Sequence, residues 1–205
     1  MQLVLIILIV IGGCIVVGGV ILVLLRLRAA WGMDERGDYM AGIAAEHDGE
    51  FVRAGLMGQD TVTFRHNDVT GKIMFVQNVS TNQTRRLTHI IFKRPAAFTD
   101  LVALSAGASL PPPFSPSLPP NIRVIPHEMP SGVEFFSTDI DGARWLNVNY
   151  SFQTFIKKLI AMTGLAKFEL YQKGQEFKFA IDGFIMVEEQ LMELYNLLLE
   201  YVKQK

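Results

Sequence analysis

The chain has 205 residues, half of them hydrophobic, with 19 basic residues, 20 acidic residues and one cysteine. Only Arg26 and Arg28 among the charged groups precede residue 30, so the remainder carries a net charge of about −3, which disfavours nucleic acid as the main partner because affinity there comes mostly from neutralising phosphates. The lone Cys14 excludes an intrachain disulfide, and the length after residue 30 suits one domain or two small lobes but not a second full-size domain.

Residues 1–30 read as a transmembrane anchor. The stretch 3–25 contains no charge. At about 1.5 Å rise per residue a helix of this length reaches roughly 35 Å, against a hydrocarbon core of about 30 Å. A cleaved signal peptide is disfavoured: no basic residues precede the run, it is too long, and Arg26-Leu-Arg28-Ala-Ala-Trp31 offers no good small-x-small site. Ile11-Gly-Gly-Cys14 resembles a lipoprotein box, yet the residues after Cys14 stay apolar. Arg26 and Arg28 flank one end, with Trp31 as an interfacial anchor, while only Met1 and Gln2 lie at the other. The positive-inside rule then expects the N-terminus outside and the C-terminal domain in the cytoplasm. Gly12 and Gly19 share a helix face beside Gly13 and Gly18, which makes that face a candidate contact for another membrane helix.

Residues 31–106 read as a lobe of one helix and a β-hairpin. Residues 38–47 suit a helix ended by Asp48-Gly49, followed by strands at 61–65, 72–79 and 85–93 and a further strand at 101–106. Residues 80–84 are a loop of hairpin length. Lys72, Arg85, Arg86, Lys93 and Arg94 form the main basic concentration. Lys72, Arg85 and Arg86, together with Arg26, Arg28 and Trp31, are candidate membrane-surface contacts, each basic group contributing up to about 1 kcal/mol near anionic headgroups. A solvated face is the plainer account of the same charges.

Two possible chemical sites occur in this lobe. Thr70-Gly71-Lys72-Ile73 holds the Gly-Lys pair of a phosphate loop but lacks the upstream glycine and the following Ser or Thr. His66, Asp68 and His89 would form an acid/base cluster if the strands bring them together, though no nucleophile accompanies them.

Residues 107–120, GASLPPPFSPSLPP, read as a proline-rich linker. Pro116 and Pro119 have PxxP spacing, but the basic residue expected beside such a ligand is displaced to Arg123, so a spacer is the better reading.

Residues 121–205 read as an α+β lobe. Strands at 122–125 and 133–138 precede Asp139-Ile-Asp141-Gly142, which resembles the start of a calcium loop but lacks its later donors and so reads as a turn. Ser151 is the expected cap of a helix over 152–163, stopped by Gly164. Apolar positions alternate over 166–170 and again over 177–181, on either side of Lys173-Gly174, which predicts a hairpin. Val187, Leu191, Leu194, Leu198 and Tyr201 then follow helical spacing. The C-terminal order β-α-β-β-α implies antiparallel strands with helices on one face. The two halves are either separate lobes or one sheet interrupted by the proline segment.

No catalytic residue, cofactor site or metal-ligand set is expected from these motifs. The leading functional expectation is a single-pass membrane-anchored accessory or assembly subunit of a membrane protein complex, whose partners are the bilayer and other membrane proteins. The alternatives are a membrane-tethered enzyme or ligand-binding module, and peripheral binding of anionic lipid through the basic hairpin.

Overall fold

The computed structural model describes residues 13–14, 16–23, 33–54, 59–79, 84–105, 122–124, 133–137, 140–164 and 167–204. Gly12, Arg26, Arg28, Trp31 and the linker at 107–120 lie outside them. Residues 13–14 and 16–23 are helical, but among the described residues no helix is long and apolar enough to cross a membrane.

Strand pairing begins at a tight turn, where Asn67, at φ 55°, takes the left-handed conformation that asparagine tolerates. It joins β2 (Thr61–His66) to β3 (Val69–Val79), and β1 (Glu50–Val52) lies antiparallel on the other side of β2. Across the expected loop, β3 pairs with β4 (Thr84–Ser105) from Val79↔Thr84 to Thr70↔Lys93. β4 then pairs with β6 (Val133–Ser137), which carries β5 (Ile122–Val124). Strands from both sides of residues 107–120 therefore belong to one seven-stranded antiparallel sheet.

The predicted hairpin at Lys173-Gly174 is instead one continuous strand, β7 (Phe168–Asp182), paired with β4 from Leu104↔Glu169 to Leu87↔Asp182. Phe168, Leu170 and Gln172 are buried before the glycine, whereas Phe177, Phe179 and Ile181 are buried after it, so the inward parity switches. A reversal of direction would explain that switch, but so does a bulged register between two strands. Gly174, at φ 54°, lies opposite Phe98, and the extra residues are on β4, where the steps from Lys93 to Phe98 to Leu101 face the shorter steps from Glu176 to Gly174 to Gln172. The C-terminal order is thus one strand shorter than expected.

Besides the helical residues 13–14 and 16–23, the described residues include four helices interspersed with the strands: α1 (Met33–Glu46), α2 (Ile140–Val148), α3 (Tyr150–Thr163) and α4 (Glu188–Lys203). Ile140, Asp141 and Gly142 of the expected turn instead open α2, with Asp141 in the first turn where a carboxylate meets the positive end of the helix dipole; Asp139 lies outside the described residues. Asn149, not Ser151, caps α3, its Oδ1 accepting from the Phe152 N–H at 2.8 Å. Gly164, at φ 61°, ends α3 as expected.

Met40 and Ile43 of α1, Leu146 of α2, Phe152 and Ile156 of α3, and Leu194 and Leu198 of α4 join one core cluster with Val62, Ile73, Ile90, Phe92, Phe177 and Phe179 from the sheet. Phe155 of α3 stacks on Tyr201 of α4 with centroids 4.4 Å apart, which locks the two helices together. The alternate strand positions Val76, Leu87 and Ala180 form a small second cluster on the opposite face.

Arg94, at 6% exposure, turns inward. It donates to Ala96 O at 3.0 Å, Ala97 O at 3.1 Å and Val202 O at 2.9 Å, and its guanidinium lies 3.7 Å from the Phe98 ring centroid. It thereby ties the bulge of β4 to the carbonyl end of α4, where a cation is favoured. Arg94→Ala is expected to cost about 2 kcal/mol by thermal unfolding, and Arg94→Lys to restore little, since an ammonium lacks the planar fork that serves three carbonyls. An unchanged unfolding midpoint in Arg94→Ala would refute this role.

Candidate functional site

The pleat divides the predicted basic concentration. Lys72 and Arg85 point away from the helices, like Met74 and Leu87, whereas Arg86 pairs with Gln77 on the helix side. Three of the five cations have structural partners: Arg85 donates to both Asp182 carboxylate oxygens at 3.2 Å, Lys93 meets Glu176 at 3.0 Å, and Arg94 is turned inward. Of the glycines on the proposed anchor face, Gly19 is helical and exposed, and nothing lies within 4 Å of an ideal Cβ there or at Gly18.

Register also separates the histidines. His66 shares the helix-side face with Phe64, while His89 pairs with Met74 on the other. They cannot act on one substrate atom. His66 Nε2 and Tyr195 Oη share a 3.0 Å hydrogen bond, and burial, with a smaller contribution from Lys203, lowers the His66 pKa. His89, 1% exposed, is pushed down to about 4 by burial and then by Lys178. The Gly71-Lys72 pair lies in the middle of β3, and Gly71 is there because the Tyr195 ring covers it.

The structure also assembles groups that no local pattern announces. Glu46 and His47, at the end of α1, meet Glu188 at the start of α4, with His47 Nε2 2.9 Å from Glu188 Oε1. The hydrogen bond to Glu188 raises the Glu46 pKa, while the bond to His47 lowers that of Glu188. The three side chains offer one ligand atom each within 4.8 Å of one another. This is a donor set a divalent cation can use, on an exposed surface. Glu169, 4% exposed, is pushed up to about 7 by burial alone.

A second group gathers where α1 begins. Arg36 and Arg86 both lie against the Phe184 ring, with guanidinium carbons 4.6 Å and 5.9 Å from its centroid. Between α3 and α4 runs an open groove of about 870 Å³, with Met162, Ile181, Leu194 and Leu197 on its floor and Lys158 and Glu193 among its charged lining.

No family model matches the chain, and no curated protein matches it. Among solved structures, the fold is similar to the crystal structure of the mycobacterial trehalose monomycolate transport factor A, TtfA, at a TM-score of 0.52 and 13% identity, covering 82% of this chain and 94% of that one. At that identity the likeness is one of fold. It agrees with the α+β class that the structure itself defines by its antiparallel sheet and its helices.

Proposed function

We propose that this chain is a single-pass membrane-anchored accessory or assembly subunit of a membrane protein complex, with its N-terminus outside and its domain in the cytoplasm. The observation that carries this reading is the uncharged stretch 3–25 joined to a domain whose fold is like that of a protein named as a transport factor. That name supports reading the domain as an auxiliary part of a transport complex, acting through protein contacts. Two surfaces suit those contacts. The glycine face around Gly12 and Gly19 lets another helix approach closely, and the groove between α3 and α4 offers apolar floor with charged rims.

Extraction of the full chain in several mild detergents, followed by identification of what co-elutes, is expected to recover a defined set of membrane proteins. Replacing Gly12 and Gly19 by leucine is expected to weaken that co-elution without releasing the chain from membranes. A chain that runs alone and monodisperse in every detergent would defeat the subunit reading.

A further inference from the structure

The loop between β7 and α4 is Gly183-Phe-Ile-Met-Val187, an apolar run at the surface. Met186 is 38% exposed and Val187 52% exposed. The loop is held firmly: the Gly183 N–H donates to Arg86 O at 2.7 Å, Thr88 Oγ1 donates to Gly183 O at 2.9 Å, and the Ile185 N–H donates to Thr88 Oγ1 at 3.0 Å. Gly183, at φ 97°, permits the bend. These bonds fix the Phe184 ring against Phe75, at a centroid distance of 5.2 Å, with Arg36 and Arg86 both lying on it.

Two guanidiniums on one phenyl ring repel each other. Arg86 lowers the Arg36 pKa, second only to burial, and Asp60 opposes the shift. Arg36 is 9% exposed and reaches Gln77 Oε1 at 3.5 Å, while Arg86 is exposed. Nearby, Arg53 is paired with Asp38, and Asp60 accepts the Ala54 N–H at 2.9 Å. A group with several anionic oxygens between Arg36 and Arg86 would relieve the repulsion, and guanidiniums match phosphate oxygens in geometry. Water-exposed Met186 and Val187 beside that charge call for an apolar phase as well. A phosphate next to a hydrocarbon boundary is the surface of a phospholipid bilayer.

The position agrees. Arg36 lies in the first turn of α1, eight residues beyond Arg28. Even fully extended, that length spans no more than about 29 Å.

We propose that Arg36 and Arg86 take a phospholipid headgroup phosphate while Met186 and Val187 enter the acyl boundary, seating the domain on the bilayer in one orientation. The location rests on the anchored reading above, whereas the site is built from the domain's own residues. It differs from a basic-hairpin patch, since Lys72 and Arg85 point to the other face.

Amide hydrogen exchange of the full chain tests it in three settings: phosphatidylglycerol nanodiscs, maltoside micelles free of phospholipid, and those micelles with millimolar inorganic phosphate. Residues 184–187 are expected to exchange about fivefold more slowly in the nanodiscs than in plain micelles. Arg86→Gln, at an exposed position, is expected to abolish most of that protection, whereas Lys158→Gln on α3 leaves it intact. Equal exchange in nanodiscs and plain micelles would overturn the proposal. Full protection by inorganic phosphate alone would also overturn it, since the site would then take a soluble anion and not a lipid surface. Failure of the chain to enter nanodiscs would count against the anchor, and an incorporated chain with an unprotected loop against this site.

Discussion

Gly71→Ala is expected to destabilise the domain by about 2 to 3 kcal/mol, and Gly71→Val by more, measured by urea unfolding followed with circular dichroism. An ideal Cβ at this position would lie 2.8 Å from both Tyr195 Cζ and Phe92 Cε1, with Tyr195 Oη closer still. Real Cβ atoms do not approach so near, so something must move. Tyr195 is 1% exposed, bonded to His66, and flanked by Phe64 and Phe92 at centroid distances of 5.0 Å and 5.1 Å, so it has no free direction. Adding Tyr195→Phe removes the nearest oxygen but leaves the ring carbon. The double variant is therefore expected to recover part of the loss and no more. A Gly71→Ala protein as stable as the parent would show that α4 can lift off β3 freely, contrary to this packing.

Two buried ionisable groups should give stability profiles of opposite slope. His89 has a folded pKa near 4 against an ordinary value of 6.5. As pH falls through that window the unfolded chain binds the proton first, so stability is lost from about pH 6.5 down to about 4 and is level below. Glu169 has a folded pKa near 7 against 4.5. As pH rises the unfolded chain ionises first, so this contribution is fully present below about pH 4.5 and is lost by about pH 7. Each shift corresponds to about 3 kcal/mol. In the parent the two trends oppose one another across pH 4.5 to 6.5. Glu169→Gln should therefore gain about 3 kcal/mol relative to the parent between pH 4.5 and 7.5, and His89→Leu should gain a similar amount in the reverse direction, towards acid. Parallel pH profiles for parent and variants would show that neither group is kept neutral by burial.

How far the sequence revealed this depends on the range of each interaction. The helix stopped by Gly164, the β3–β4 pairing across 80–84 and the apolar stripe of α4 are local patterns, and each was legible. β7 was misread because a β-bulge and a hairpin turn leave the same trace, a glycine followed by a switch of parity. Gly71 carried a visible signal, a glycine inside a strand pattern, which marks close approach of another group more often than phosphate binding. The groups at Phe184 and at Glu188 had no such trace. Arg36 and Phe184, or His47 and Glu188, are joined only by folding, and the latter pair is separated by 141 residues. Glu169 looked like an ordinary outward position of an alternating strand, and only the packed structure gives its burial.

The pairing of β4 with β7 sets the order in which the molecule can be completed. β4 is flanked by β7 along most of its 22 residues, yet Leu87 must wait for Asp182 before that edge closes. With synthesis at about 5 to 20 residues per second, the stretch from β4 to the end of β7 takes roughly 4 to 15 s. During that interval a nascent chain holds a long strand with Ile90 and Phe92 lacking Phe177 and Phe179 beside them. Such an edge is open to pairing with any extended segment nearby until β7 emerges.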